Sequence, residues 1–183
     1  MVETTKAKEI EDFVRSRISD EFVDKHILLV VKEAKWLCGF YPEADKEVVE
    51  TAALLHDVGQ TWVGKPPHKT NESNEKHHIV GRKIAETFLP TIGFPAEKIP
   101  NVLHCIESHR TRRPPEPETI EAKIVASADN LAHFTGVEFL RENLGEERVL
   151  AKLERDLSSK FLLPEALAKA EKEYKKLKKL FQV

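Results

Sequence analysis

His56 and Asp57 set an imidazole and a carboxylate side by side, at the end of the apolar helical run Ala52-Ala-Leu-Leu-His-Asp-Val-Gly59. A borderline divalent cation accepts both donor types. Two adjacent ligands only half-surround an ion, so other segments must bring the rest. Taken alone, the pair reads equally as a helix end whose histidine caps the last carbonyls. Its company changes that: His26 lies upstream, His77 and His109 downstream, and Asp129 beyond. His26, His56, Asp57 and Asp129 form the main expected ligand set. None is a thiolate. The expected cofactor is therefore a divalent ion (Mn, Fe, Co, Ni, Mg or Zn) in an open site, not a closed structural zinc site. Two histidines and two aspartates leave positions open on a six-coordinate ion for water and a substrate oxygen.

Almost every segment that must position these residues reads as helix, with no sustained period-two alternation. Residues 4–17 carry Ile10, Phe13 and Val14 on one stripe. Ser19 or Asp20 caps a second helix, about 20–38, with Phe22, His26, Val30 and Leu37 near one face. Pro42 and Asp45 open a third, about 45–57, which places the His-Asp pair in its last turn, where the dipole favours a cation. Residues 60–73 are polar and contain two prolines, which predicts a long irregular loop: a lid or a plain surface excursion. A fourth helix, about 74–89, carries His77, Gly81, Ile84 and Phe88 on one face. Gly81 leaves room for a close approach one turn beyond His77.

Past Pro100, Val102, Ile106 and His109 cluster on a helical wheel, while His104 points away. Residues 110–118 form a rigid, arginine-rich loop. Thr119 caps a helix on which Ala122, Val125 and Asp129 share a face, with His133 one turn further on. An aspartate on an apolar face must be paired, hydrogen-bonded or metal-bound. Helices at about 137–158 and 164–181 complete the chain. On the last, Leu167, Ala170, Tyr174, Leu177 and Phe181 step by 3 and 4, which fits core packing or a homodimer seam. The lysines on its far side are interleaved with Glu171 and Glu173 and read as a solvated face.

The chain has 183 residues, enough for one domain with a full-sized core, read here as 1–183. At 40% hydrophobic and 33% charged residues it has a folded, water-compatible balance. Twenty-nine basic against 31 acidic side chains give a net charge of −2 and no global pull toward nucleic acid or anionic lipid. An anionic substrate must then be met by local charge or a metal. The longest apolar stretch, Ile27 to Val31, is too short to span a bilayer, and the first residues lack a signal-peptide core. A cytoplasmic protein without a membrane partner is expected. Cys38 and Cys105 form no CxxC pair and read as small core residues.

The order H…HD…H…H…D on a helical chain resembles the HD-domain superfamily of metal-dependent phosphohydrolases. The resemblance covers about residues 22–135: His26-Ile-Leu-Leu-Val-Val, the run from Ala52 to Gly59, His77-His-Ile-Val-Gly81, Ile106-Glu-Ser-His109 and Lys123-Ile-Val-Ala-Ser-Ala-Asp-Asn130. It implies an all-α, single-domain bundle with helices 137–183 packed on the motif core. It implies that His26, His56, Asp57 and Asp129 bind one metal. His77 and His109 match positions that in some branches bind a second metal, bridged by the central aspartate; otherwise they contact phosphate or simply pack. His78 rivals His77, but His77 fits the H-x-x-x-G spacing. The implied reaction is hydrolysis of a phosphoester or phosphoanhydride in a nucleotide or small phosphorylated metabolite by a metal-activated water. Arg110 and Arg113, with Lys65 from the first loop, are candidate phosphate contacts. Gln60 departs from relatives that carry an acid or a lysine there; it can orient water or phosphate but cannot act as a base. Ser127-Ala-Asp-Asn stands where relatives often have Asp-Ala-Asp-Lys. Two alternatives are a nucleotide-sensing module without turnover and a diiron oxygenase using both His77 and His109.

Overall fold

A computed structural model describes residues 5–60, 71–158 and 161–181. Among these residues the chain is all-α, with no strand. Ten α-helical segments are present: α1 Lys6–Arg15, α2 Asp20–Phe22, α3 Leu28–Leu37, α4 Lys46–Leu55, α5 Asn71–Phe88, α6 Ile99–Ser108, α7 Ile120–Thr135, α8 Val137–Leu144, α9 Glu146–Leu157 and α10 Pro164–Leu180.

Caps set several starts. Ser19 accepts from the Phe22 amide, Asp45 from the Glu47 and Val48 amides, and Thr119 from the Ala122 amide. Between α2 and α3, Val23–Ile27 forms a π-helical turn closed by the Leu28 amide on the Val23 carbonyl. The expected continuous helix over 20–38 therefore holds one wide turn, and His26 sits inside it. An extra residue in one turn rotates the side chains that follow, a common device at functional sites.

The expected helix over 137–158 is also divided. Gly145, at φ +78°, separates α8 from α9. Its left-handed conformation suits glycine and breaks a pattern that periodicity alone would continue. Helix α5 begins at Asn71, inside the segment expected to be loop, because its polar first turn carries no apolar signal to mark the boundary.

α7 is the central rod: α3, α4, α6 and α10 all pack on it, and α5 packs on α6. Ile124, Val125, Ala128 and Leu131 of α7 are fully buried, as are Val30, Ala34 and Leu37 of α3 and Ala52 of α4. Phe13 of α1 stacks on Phe88 of α5, with ring centroids 3.7 Å apart and planes 4° apart. Ala166, Ala170 and Leu177 of α10 are buried, so the apolar stripe of the last helix faces this core. Among the described residues no helix is long and apolar enough to cross a membrane.

Candidate metal centre

His56 is the residue that ends α4, and Asp57 lies in the turn just past it, not within its last helical turn. That turn is closed by Val58 N–H on Leu55 O at 3.0 Å and Gln60 N–H on Asp57 O at 2.8 Å. It is pressed directly onto α5. A Cβ on Gly59 would lie 2.1 Å from the His77 carbonyl oxygen and 2.5 Å from the Gly81 amide nitrogen. Gly81 returns the approach, with the Gly59 nitrogen 3.4 Å from where its own Cβ would be. The close neighbour that Gly81 admits is thus the His-Asp turn itself. Backbone-to-backbone contact at two glycines carries Asp57 up to His77.

The other donors arrive by similar means. His109 ends α6. His26 comes from the π turn; Gly136, at the end of α7, lies against that turn, where a Cβ would be 3.6 Å from the Lys25 carbonyl oxygen. Asp129 projects from the middle of α7.

Asp57 divides its carboxylate between two pairs of imidazoles. Oδ2 lies 3.5 Å from His56 Nε2 and 3.7 Å from His26 Nε2. Oδ1 lies 3.2 Å from His77 Nε2 and 3.8 Å from His109 Nε2. Asp129 Oδ1 closes the first half, 3.3 Å from His26 Nε2 and 3.8 Å from His56 Nε2. His77 Nε2 and His109 Nε2 are 3.1 Å apart in the second. Donor atoms of His26, His56 and Asp57 lie within 4.8 Å of one another, as do those of Asp57, His77 and His109. All five of these side chains are buried.

Tautomers follow from the hydrogen bonds. His56 Nδ1 donates to Ala53 O at 2.8 Å, and His109 Nδ1 donates to Ile106 O at 2.7 Å. A carbonyl only accepts, so Nδ1 carries the proton and each neutral ring keeps its Nε2 lone pair toward the cluster. His56 Nε2 is buried with no hydrogen-bond partner. A buried nitrogen lone pair with nothing to accept from, beside two carboxylates, is the signature of a cation site. The donor set fits a divalent ion in each half.

Electrostatics agree. Burial pushes the Asp57 carboxyl up, but His56, His77, His109 and His26 outweigh it and hold it below the ordinary carboxylate range. Asp129 behaves alike: burial raises it, and His26, His133 and His56 hold it well below that range. Burial, with His56 and His77 beside it, pulls His109 down to about 3. The centre thus keeps carboxylates charged and this imidazole neutral, the states that bind metal.

His78 lies beside His77 but outside these groups. Burial, with the charges of His77, Arg110 and Arg113, pulls it down to about 4. Gln60 is buried with its Oε1 unpartnered. Lys65 lies outside the described residues. His104, read as pointing away, is half-buried and accepts from the Glu118 amide at 3.0 Å.

His133 was not among the expected ligands, yet one of its nitrogens groups with donor atoms of His26 and Asp129 within 4.8 Å. It stacks on His26, with centroids 5.5 Å apart and planes 12° apart. The i, i+4 step from Asp129 to His133 was the available signal.

With the geometry in place, comparison with known proteins agrees on the class. The family model for the HD domain matches residues 23–133. The chain belongs to the HD-domain family. It resembles the 1.45 Å crystal structure of a protein from an uncultured Thermotogales bacterium, described as a predicted HD superfamily hydrolase. The TM-score is 0.65 at 27% identity, over 96% of this chain and 88% of the other. It is also 30% identical over 159 residues to a tRNA (cytidine(56)-2'-O)-methyltransferase of Picrophilus torridus. That alignment takes in 80% of this chain but 44% of the relative, so the chain spans less than half the length of that protein.

Proposed function

We propose that the protein is a metal-dependent phosphohydrolase that cleaves a phosphoester or phosphoanhydride of a small phosphorylated substrate, with two divalent ions per chain. The observation that carries this reading is the division of Asp57: one oxygen toward His26 and His56, the other toward His77 and His109. His26, His56, Asp57 and Asp129 would hold one ion, and Asp57, His77 and His109 the other. When bound, such ions supply Lewis-acid chemistry and make hydroxide available near neutral pH.

The chain's own residues do the rest. Asp57 and Asp129 stay ionised and balance the cations. Ala53 O and Ile106 O lock the His56 and His109 tautomers. Arg110 and Arg113 supply guanidinium forks for phosphoryl oxygens, and Gln60 Oε1 accepts from the attacking water. The buried walls exclude bulk water and strengthen each of these interactions.

A second reading is favoured by the Picrophilus relative, whose name describes an enzyme of tRNA. On that reading the phosphate is carried by an RNA, not by a metabolite. Hydrolysis of a generic phosphoester by purified, Mn- or Fe-reconstituted protein tests the first claim. A parallel assay with mononucleotides and with tRNA bearing a terminal phosphate separates the two substrates. Absence of turnover on all three would leave a nucleotide-sensing module.

A further inference from the structure

His133 of α7 is half-buried and touches both the candidate metal centre and α9. One of its nitrogens groups with donor atoms of His26 and Asp129 within 4.8 Å, and its ring lies nearly parallel to that of His26, with planes 12° apart. From α9, Lys152 Nζ donates to His133 Nδ1 at 3.3 Å. The same ammonium donates to Asp156 Oδ2 at 2.6 Å, one turn further along α9. Asp156 is 1% exposed. Arg155 and Arg112 approach its other oxygen at 3.4 and 3.8 Å, and Arg112 donates to the Arg155 carbonyl at 3.2 Å. The buried carboxylate is thus held from several directions, and Lys152 is anchored on it beside His133.

An ammonium has protons to give and no lone pair, so His133 Nδ1 must accept. The proton of the neutral ring then sits on Nε2. His56 and His109 are the opposite: their Nδ1 protons go to carbonyls, and their Nε2 lone pairs turn to the cluster. A nitrogen that carries a proton has no lone pair for a cation. What His133 offers the centre is therefore an N–H. The strongest acceptor in its group is the carboxylate of Asp129, one helical turn earlier on α7. Asp129 Oδ1 already lies 3.3 Å from His26 Nε2 and 3.8 Å from His56 Nε2. A donor on that carboxylate restrains its rotation and keeps Oδ1 turned to the cation position.

We propose that His133 is a positioning residue for the ion of His26, His56, Asp57 and Asp129, and not one of its ligands: its Nε2–H donates to Asp129, and Lys152, anchored on Asp156, sets that tautomer. Helix α9 thereby acts on the metal centre without supplying a ligand. The inference rests on the reading that those four residues hold an ion.

The test uses the full chain, metal-free and then loaded with cobalt. In metal-free wild type, proton–nitrogen correlation spectroscopy of the histidine rings should show His133 protonated on Nε2, and His56 and His109 on Nδ1. His133 protonated on Nδ1 overturns the proposal, and this readout needs no variant to fold. With cobalt, competition against a chelator gives the affinity of each ion, and the visible spectrum reports its ligands. Glutamine keeps an acceptor for Lys152 and an N–H for Asp129 but has no imidazole nitrogen to give a metal. His133→Ala should weaken the first cobalt about tenfold or more and leave the second within about threefold. His133→Gln should keep both within about threefold, with the wild-type spectrum. Unchanged affinity in His133→Ala overturns the proposal and makes His133 a packing residue. Equal loss in the two variants, with a changed spectrum, overturns it and makes His133 a ligand. Wild-type protein that binds no cobalt overturns the metal reading and this role with it, whereas the other failures strike the role alone.

Discussion

Single atoms decide what the centre can bind. His56 Nε2 is buried without a partner, and the proton on Nδ1 is fixed by Ala53 O. Gln60 Oε1 is likewise buried and unpartnered. A group kept in that state for folding alone would be a cost. Gln60→Ala should therefore leave stability within about 1 kcal/mol of wild type, or raise it slightly, while kcat/KM for a phosphoester falls about tenfold with metal content intact. Equal loss of melting temperature and activity would make Gln60 a structural residue. Residue type and order single out His26, His56, Asp57, Asp129, His77 and His109, and the fold brings these six side chains together, Asp129 half-buried and the other five buried. His133, one turn beyond Asp129 on the same side of α7, joins His26 and Asp129 in a further group of donor atoms. The cluster around Asp156 was invisible, because it joins a loop to a helix about forty residues away, and no local pattern reports that pairing.

Elements are aligned by a few close contacts. The turn at Gly59 touches α5 backbone to backbone, whereas the hypothetical Cβ of Gly81 meets ordinary neighbours at 3.4 Å. Gly59→Ala must push α4 from α5 and should cost about 3 kcal/mol or more, with loss of the second metal. Gly81→Ala should cost about 1 kcal/mol or less. Chemical denaturation of the two variants checks the order; similar values would remove the close approach as the device that places Asp57. A second joint lies at Glu121, which is buried at the start of α7. It accepts from the Asp45 amide at 2.9 Å and from Asn101 at 3.0 Å, tying α7 to α4 and α6. Burial raises its carboxyl, but these donors win and hold it below the ordinary 4.5. A depressed folded value means that the stabilisation is complete above 4.5 and is lost as pH falls through the folded value. Glu121→Gln should thus destabilise by about 2 kcal/mol at pH 7, with the difference from wild type shrinking in acid below 4.5. A gap independent of pH would show that the charge is immaterial. Caps at Ser19, Asp45 and Thr119 were readable as helix starts. The π turn at Val23–Ile27 and the break at Gly145 were not, since both are set by packing and backbone conformation, not by apolar period.

Across the whole molecule, α10 closes the bundle through one buried charge. Glu33 of α3 is 2% exposed and accepts from Lys169 at 2.5 Å, while the same ammonium lies 4.1 Å from the centre of the Trp36 ring. Lys169→Met leaves Glu33 buried without its cation and should cost about 3 kcal/mol, lowering the melting temperature by roughly 10 °C. Glu33→Gln in the same background should recover most of that loss; failure to recover would assign the role of Lys169 to its contact with Trp36. The wider fold, all-α and of the HD type, was legible because nearly every segment carries helical period and the donor order is distinctive. The central claim is that this fold carries two cation positions sharing Asp57. Elemental analysis of reconstituted wild type, Asp57→Ala and His77→Ala tests it most directly. The account predicts about two equivalents of a divalent transition metal in wild type, none retained in Asp57→Ala, and about one in His77→Ala. Wild-type protein that holds no metal after reconstitution, or an Asp57→Ala variant that keeps its full complement, would contradict it.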